Sequence, residues 1–294
     1  MNGGDGGMTI GRSSAVQRQF NRSATSYDAH AHIQRSMAEQ LARSLAEWKN
    51  KGVLSDPSIL EIGCGTGALT QILVNEWPSA NITALDIAPE MIEVASKRFR
   101  SAQHPGTGNC TTDRLRFLQA DIEMWAINAP ECSVDIIVSN ACFQWLSSPQ
   151  ETLGHLRRIL RPGGLLIFTT FGPDTFREMH EAFDEVYRVN GMEPQRHGLS
   201  FQSPVQWEIM LQESGYSSFH CERSIHMEKY ASARDFLYTV KGMGASTTEA
   251  ATIPGYSLRR LFTNMYKEYE DKFSIKGGVS ATYDLLFIQS VAPY

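Results

Sequence analysis

Leu60-Glu61-Ile62-Gly63-Cys64-Gly65-Thr66-Gly67 is the stretch that decides the fold of this chain. The apolar pair Ile59-Leu60 leads into a turn with three alternating glycines, and Ala68-Leu69-Thr70-Gln71-Ile72-Leu73 continues with a helical pattern. A strand, a glycine-rich turn and a helix in this order let a nucleotide-like ligand approach bare backbone at the end of a parallel strand. Working outward, apolar runs at 58–62, 81–86, 115–119, 134–139 and 165–170 read as strands. Helical patterns at 67–77, 89–100 and 151–160 fall between them, and 104–113 reads as a polar loop. Strands alternating with helices at this spacing predict βαβ units, hence an α/β fold with a doubly wound, mostly parallel sheet.

Beyond Phe171 the rhythm changes. Helices are predicted at 174–188, 204–214, 233–242 and 257–271, and two late strands at 219–223 and 283–290, which brings the sheet to seven strands. The N-terminal part, 15–48, reads as helix broken near Ser23-Ala24-Thr25-Ser26. The expected organisation is a disordered start over 1–14 and a single domain over 15–294. That domain carries a helical cap at 15–50 and lid insertions near 172–215 and 226–276. The lid would cover the strand ends, where the ligand of such a sheet sits.

The chain has 294 residues, 42% hydrophobic, enough for one large domain with a substantial core. Its net charge of −5 argues against a general nucleic-acid binder. No apolar run approaches the roughly 18 residues of a membrane span. The five cysteines are scattered without a C-x-x-C pair, which argues against a zinc site or disulfide framework and suits free thiols in a reducing cytoplasm.

The glycine turn fits two ligands. Gly63, Gly65 and Ala68 satisfy the G-x-G-x-x-A dinucleotide pattern, and Asp86, at the end of the second strand, suits a ribose in either case. Three features favour S-adenosylmethionine over a nicotinamide dinucleotide. Glu61 precedes the turn, where an acid can meet an ammonium group. Asp121 follows the third strand, placed to accept from an adenine amino group while Ile122 packs on the ring. The segment Ser139-Asn140-Ala141-Cys142-Phe143-Gln144-Trp145 follows the fourth strand and brings polar and aromatic groups to where donor and acceptor meet.

Together, residues 58–170 resemble the class I S-adenosylmethionine-dependent methyltransferases, whose fold is Rossmann-like. A closer resemblance covers nearly the whole chain. Phe20-Asn21-Arg22-Ser23-Ala24-Thr25-Ser26-Tyr27-Asp28 with Ala31 and Gln34 is similar to the N-terminal signature of the malonyl-acyl-carrier-protein O-methyltransferases of biotin synthesis. So are Phe143-Gln144-Trp145-Leu146, and Thr170-Phe171-Gly172-Pro173-Asp174-Thr175-Phe176 with Glu178 and Ala182-Phe183. So too are Arg234-Asp235-Phe236-Leu237 through Lys241 with Gly244-Ala245, and Ala281-Thr282-Tyr283. Gly242 departs from the pattern, standing where a larger residue is expected.

The resemblance implies a cytoplasmic enzyme that uses S-adenosylmethionine, releases S-adenosylhomocysteine and esterifies the free carboxylate of malonyl carried on acyl carrier protein. It implies cofactor contacts from Tyr27, Glu61, Gly63, Cys64, Gly65, Asp86, Ile87, Met91, Asp121, Ile122, Asn140 and Phe143. It implies catalytic or acceptor-side roles for Tyr27, Gln144, Trp145 and Lys241. A malonyl carboxylate is ionised at neutral pH, so neither a general base nor a metal is required. An acidic carrier calls for a local basic face. Arg157, Arg158 and Arg161 around one helix, Arg18 and Arg22 in the N-terminal segment and Arg196 in the insertion are its candidates; Arg177 has a weaker claim than Lys241 to the carboxylate. Two other outcomes keep the fold: a methyltransferase for a small free acid or a quinone precursor, and a cofactor-binding assembly factor without turnover.

Overall fold

A computed structural model describes residues 6–50, 56–101, 114–243 and 257–294. The expected loop at 104–113 with Cys110, the Gly244-Ala245 pair and residues 1–5 lie outside the described residues. Five parallel strands form the heart of one sheet: β1 (Ser58–Ile62), β2 (Asn81–Asp86), β3 (Leu115–Gln119), β4 (Val134–Asn140) and β5 (Leu160–Phe171). The long β8 (Gly278–Val291) pairs antiparallel with β5 on one side and with β6 (His220–Tyr230) on the other. The two-residue β7 (Ser274–Ile275) turns back on β8. The strand order is β3-β2-β1-β4-β5-β8-β6. The order reverses between β1 and β4, which opens a crevice at their carboxyl ends.

Alternation along the strands assigns the two faces. Ile59, Ile136, Val138 and Ile167 pack with Leu41, Leu45, Leu69 and Leu73 of helices α3 (His32–Asn50) and α4 (Ala68–Glu76). Leu60, Ile62, Ile137 and Phe168 pack the other way, against α6 (Ile122–Asn128), α7 (Pro149–Ile159) and α9 (Pro204–Glu213). With both faces covered, the central strands are continuous apolar runs. Helix α5 (Pro89–Ser101) links β2 to β3. A further core joins α8 (Arg177–Val189), α10 (Ala233–Gly242) and α11 (Leu258–Phe273) to β8, through Phe183, Phe236, Met265 and Tyr283. This helical layer falls in the stretches read from the sequence as lid insertions. Helices α1 (Gly6–Ser23) and α2 (Tyr27–His30) lie at the crevice.

Several boundaries differ from expectation. Helix α1 begins at Gly6, inside the stretch expected to be disordered. Helix α6 was not expected; at seven residues it is too short for its period to show. Strand β5 starts at Leu160, because Leu160 pairs with Val134 before a register shift carries the chain through Arg161–Gly164. Strand β6 runs on to Tyr230, so the second lid insertion begins after it rather than at 226.

The chain segments 172–178 and 281–284, both carriers of the resemblance, bond to each other. Asp284, wholly buried, takes Arg223 Nε on one oxygen at 2.8 Å and Nη2 on the other at 2.9 Å, and accepts from the Asp174 N–H at 3.1 Å. Buried Glu178 accepts from the Thr282 N–H at 2.9 Å and from its hydroxyl. These bonds fix the point where β5 gives way to the lid. Asp284→Ala is expected to cost about 3 kcal/mol, since it leaves the Asp174 N–H without its acceptor and strips Arg223 of its buried partner, leaving it only the Asp174 carboxylate. Urea titration at neutral pH checks this; an unchanged midpoint would show the network to be dispensable.

Candidate functional site

The glycine turn is stitched to the neighbouring strand. The Gly63 and Cys64 N–H groups both donate to the Leu85 carbonyl, at 2.8 and 3.0 Å. Asp86 then ties the turn to the start of the next helix: Oδ2 accepts from the Gly65 N–H and Oδ1 from the Ala88 N–H, each at 2.8 Å. Burial raises the Asp86 carboxyl, and these N–H groups with that of Ile87 oppose the rise. Gly63, Gly65 and Gly67 have φ of +70°, +53° and +84°, the left-handed region that favours glycine. A side chain on Gly65 would meet no protein atom within 4 Å, so the space beside it is open to a ligand.

Around that space lies a cleft lined by Gly63, Gly65, Asp86, Ile87, Met91, Asp121, Ile122, Asn140 and Trp145, roofed by Val16 and Phe20 of α1. Asp121 does two things there. It caps α6, accepting from the Glu123 N–H at 3.0 Å, and it lines the cleft. Tyr27 lines both this cleft and a small pocket of about 40 Å³ behind the turn, where Glu61, Cys64, Asn140 and Gln34 also converge. Burial raises the Tyr27 phenol, with the Asp86 charge adding to it, so the group is a hydrogen-bond donor at neutral pH. Glu61 is wholly buried and accepts from Thr70 Oγ1 at 2.6 Å. Burial pushes its carboxyl up to about 8 from an ordinary 4.5, against the Thr70 bond. Burial likewise pushes the Cys142 thiol up to about 12 and the Cys64 thiol well above its usual value, so neither offers a thiolate.

The N-terminal helices are pinned to the turn and its surroundings. Asp28 accepts from Thr66 Oγ1 at 2.6 Å and pairs with Arg98, and Gln17 Nε2 donates to the Ile87 carbonyl at 2.9 Å.

Beside the cleft, under the lid, lies a second and larger cavity of about 550 Å³. Trp145 lines both spaces and forms the wall between them, held edge-on by Phe20 at a centroid distance of 5.3 Å. The cavity is largely apolar, built from Phe171, Phe176, Met179, Phe183, Phe201 and Phe262 among others. Two histidines lie in it, and burial lowers each to about 4, so both are neutral at pH 7. His197 stacks on Phe183 at 3.6 Å and shares a 2.7 Å hydrogen bond with the Tyr187 hydroxyl. Arg234 and Lys241, both exposed and two turns apart on α10, also line the cavity. Its interior is neutral and its cations belong to exposed side chains.

Three expectations need correction. Phe143 is not a cleft residue: it is buried in the core, stacked on Phe168 at 4.3 Å and tilted against Trp207 at 6.2 Å. Its one-turn 3₁₀ helix, Phe143–Trp145, turns Trp145 toward the cleft and Phe143 inward. Gln144 lines the cavity, but both ends of its amide are occupied, Nε2 donating to the Ala141 carbonyl at 2.7 Å and Oε1 accepting from Thr170 at 3.1 Å. The cluster Arg157, Arg158 and Arg161 sits where α7 runs into the start of β5, at the end of the sheet opposite the site. Arg158 donates to the carbonyls of Ala126, Ile127 and Ala129, Arg161 pairs with Asp135 at 2.6 Å, and Arg157 reaches the Gly215 carbonyl. These arginines hold chain ends together. Arg196 bonds the Leu199 carbonyl, whereas Arg18 and Arg22 are exposed on α1. Arg177 is half-exposed beside buried Glu178.

The residue out of pattern, Gly242, has a local reason. A side chain there would come within 2.7 Å of the His30 ring, so its absence lets α10 pack closely on α2. Residues that the sequence reading missed come mostly from the cavity: His180, His197 and the helical pair Phe262 and Tyr266 lie on three separate segments, and nothing in the sequence brings those segments together.

Comparison with known proteins agrees with this layout. Residues 60–168 match the family model described as a methyltransferase domain. Over the whole chain, a malonyl-acyl-carrier-protein O-methyltransferase of Paenibacillus sp. (strain JDR-2) is 56% identical, covering 93% of this chain and 97% of the relative. One of Brevibacillus brevis is 37% identical, covering 95% and 96%. Among solved structures, the YcgJ protein of Bacillus subtilis superposes with a TM-score of 0.57 at 16% identity, covering 87% of this chain and 99% of the other. A Haemonchus contortus phosphoethanolamine N-methyltransferase, solved with S-adenosylhomocysteine, gives 0.52 at 17% identity, covering 86% of this chain and 52% of its own. Both share the fold, an α/β Rossmann-like sheet, and the full-length identities carry the rest: the chain belongs to the malonyl-acyl-carrier-protein O-methyltransferase family.

Proposed function

We infer that this protein transfers a methyl group from S-adenosylmethionine to the free carboxylate of malonyl on acyl carrier protein, an early step of biotin synthesis. The single observation that carries the reading is 56% identity over 97% of a relative of that name. The site suits the reaction: a cleft with ribose and adenine acceptors meets a long apolar cavity at Trp145.

The chemistry makes modest demands. Bound S-adenosylmethionine supplies a methyl group already activated on a sulfonium. The acceptor carboxylate is ionised at neutral pH and attacks without a base. What the protein adds is alignment and the removal of water. Asp86 has acceptor capacity left for ribose hydroxyls, and Asp121 for the adenine amino group. Glu61 and Tyr27 face the end of the turn that would take the amino-acid portion. The apolar cavity suits a thioester and its pantetheine arm, and Arg234 with Lys241 suits the arm's phosphate or the acidic carrier. Esterification removes the distal charge, so the product can enter apolar sites that a carboxylate would enter only at high cost.

The direct test is mass analysis of malonyl carrier protein after incubation with enzyme and S-adenosylmethionine. The expected result is a gain of one methyl group; methylation of free diacids with none on the carrier thioester would overturn the reading.

A pH dependence follows from Glu61. Its folded-state value of about 8 lies above the ordinary 4.5, so at pH 7 the carboxyl is mostly protonated. A ligand ammonium beside it favours the carboxylate, and binding then releases a proton. Affinity should therefore rise with pH toward about 8, where Glu61 ionises, and fall again above it as the ligand ammonium loses its proton. By the same sign, the ligand-free fold loses stability as pH climbs from 4.5 to 8. Calorimetry in buffers of different ionisation enthalpy should show the proton release in the wild type and none in Glu61→Gln; a pH-independent affinity in the wild type would place the ammonium elsewhere.

A further inference from the structure

Someone must hold the acceptor carboxylate still, and the obvious groups are engaged or remote. Gln144 has both amide ends occupied, and Lys241 is an exposed residue of the lid. Gln34 is in neither position. It stands in the first turn of α3, only 8% exposed, and it lines both the large cavity and the pocket behind the glycine turn. Its amide has almost nothing to do. Among the described residues, Oε1 is buried without a hydrogen-bond partner and Nε2 donates only to the Met243 sulfur at 3.3 Å. A thioether is a weak acceptor, and the amide has a second N–H. The second Nε2 N–H is therefore left for a ligand group that accepts a hydrogen bond, whereas Oε1, itself an acceptor, is not satisfied by such a group.

The backbone around it is fixed. The Gln34 carbonyl accepts from Asn140 Nδ2 at 2.9 Å, and Asn140 Oδ1 in turn accepts from Thr169 Oγ1 at 2.7 Å. Gln34 is thus anchored to the carboxyl ends of β4 and β5, beside the loop that carries Trp145. Among the residues lining the large cavity, Trp145 also reaches the cofactor cleft and Gln34 also reaches the turn pocket. An acceptor group that enters from the cavity and must meet the donor passes between them.

We propose that Gln34 seats the acceptor carboxylate, its amide N–H donating to one carboxylate oxygen against the wall formed by Trp145. The neutral amide suits this task. It orients the anion without the strong pairing of a lysine or arginine, which would lower the nucleophilicity of the attacking oxygen. It also recognises what distinguishes malonyl from acetyl, the carboxylate itself. This assignment rests on the methylation reading and adds to it the residue that selects the acceptor.

The test separates the two. With S-adenosylhomocysteine bound, the affinities of malonyl and acetyl carrier protein are measured for wild type, Gln34→Leu and Gln34→Asn. The wild type should prefer the malonyl form. Both variants should lose about tenfold to a hundredfold in malonyl affinity, while acetyl affinity, S-adenosylhomocysteine affinity and melting temperature stay close to wild type. Gln34→Asn keeps an amide but withdraws it by one methylene, so it guards against a loss due only to packing. A malonyl preference retained in both variants overturns the proposal. So does equal weakening of both acyl forms, which marks a packing role, or weakening of S-adenosylhomocysteine alone, which marks a cofactor residue. If the wild type fails to methylate malonyl carrier protein, the functional reading falls; if it methylates and the variants keep their preference, only the role of Gln34 does.

Discussion

Asp86→Ala should weaken S-adenosylmethionine binding by a hundredfold or more at neutral pH. The carboxylate already organises the site before any ligand arrives, because its two oxygens hold the Gly65 and Ala88 N–H groups at 2.8 Å each. A carboxylate oxygen accepts more than one hydrogen bond, so the same group remains available to ribose hydroxyls. Truncation removes both services. It deletes charge-assisted bonds to the ligand, each of about 1.5–3 kcal/mol, and leaves two backbone donors without their acceptor. A loss of about 3 kcal/mol corresponds to slightly more than a hundredfold in Kd. Asp86→Asn keeps one acceptor oxygen and should fall between. Titration calorimetry with S-adenosylmethionine measures both, and wild-type affinity in Asp86→Ala would remove this residue from the site.

Asp86 was legible in the sequence because strand, turn and acid follow one another within one βαβ unit. Asp121 was legible for the same reason, and the structure adds a second role: the residue is a helix cap and a cleft acid at once. A short helix whose cap faces the cleft takes both properties from one side chain. Phe143 shows the opposite outcome. Its neighbours Asn140 and Trp145 line the cleft, but the single 3₁₀ turn sends Phe143 into the core between Phe168 and Trp207. Which side a residue takes in a three-residue turn is set by tertiary packing, and no periodicity announces it.

Strand β6 was half legible. Its later residues are mostly exposed, charged Glu222, Arg223 and Lys229 among them and apolar Ile225 and Met227 as well, because it is an edge strand with no buried face to mark it. Backbone pairing with β8 defines it over eleven positions, and charged side chains blunt the free edge. The large cavity was least legible. Its walls come from α8, α10, α11 and the loop at 195–201, separate segments that the apolar core on β8 and the bonds of Asp284 and Glu178 bring together. The resemblance had already singled out the segments that contain Asp174, Glu178 and Thr282. The structure gives them a mechanical role at the lid's attachment rather than a chemical one.

Gly63→Ala tests how far the fold and the site depend on one turn, and it should damage both. Gly63 has a φ of +70°, where an alanine is strained by about 1 kcal/mol. Space is the larger obstacle. A Cβ on Gly63 would lie 2.5 Å from the Cys142 sulfur and 2.6 Å from the Cys142 Cβ. The sulfur can rotate away; the Cβ moves only with its backbone. That backbone is the β4 loop, where Ala141 is itself left-handed at a φ of +50° and Trp145 follows three residues after Cys142. Relief must therefore displace the residues that line the cleft, at a combined cost of about 3 kcal/mol and with S-adenosylmethionine affinity lost beyond a hundredfold. Gly65→Ala is the informative contrast. It meets no protein atom within 4 Å, so it should cost only the conformational strain and still block binding, by filling the space beside Asp86. Cys142→Gly, combined with Gly63→Ala, should restore much of the stability by removing the clashing Cβ, but should do nothing for Gly65→Ala. Thermal melts and ligand titrations on the four proteins decide it. If Gly63→Ala melts and binds like the wild type, the close approach of the two loops is not what holds the cleft open.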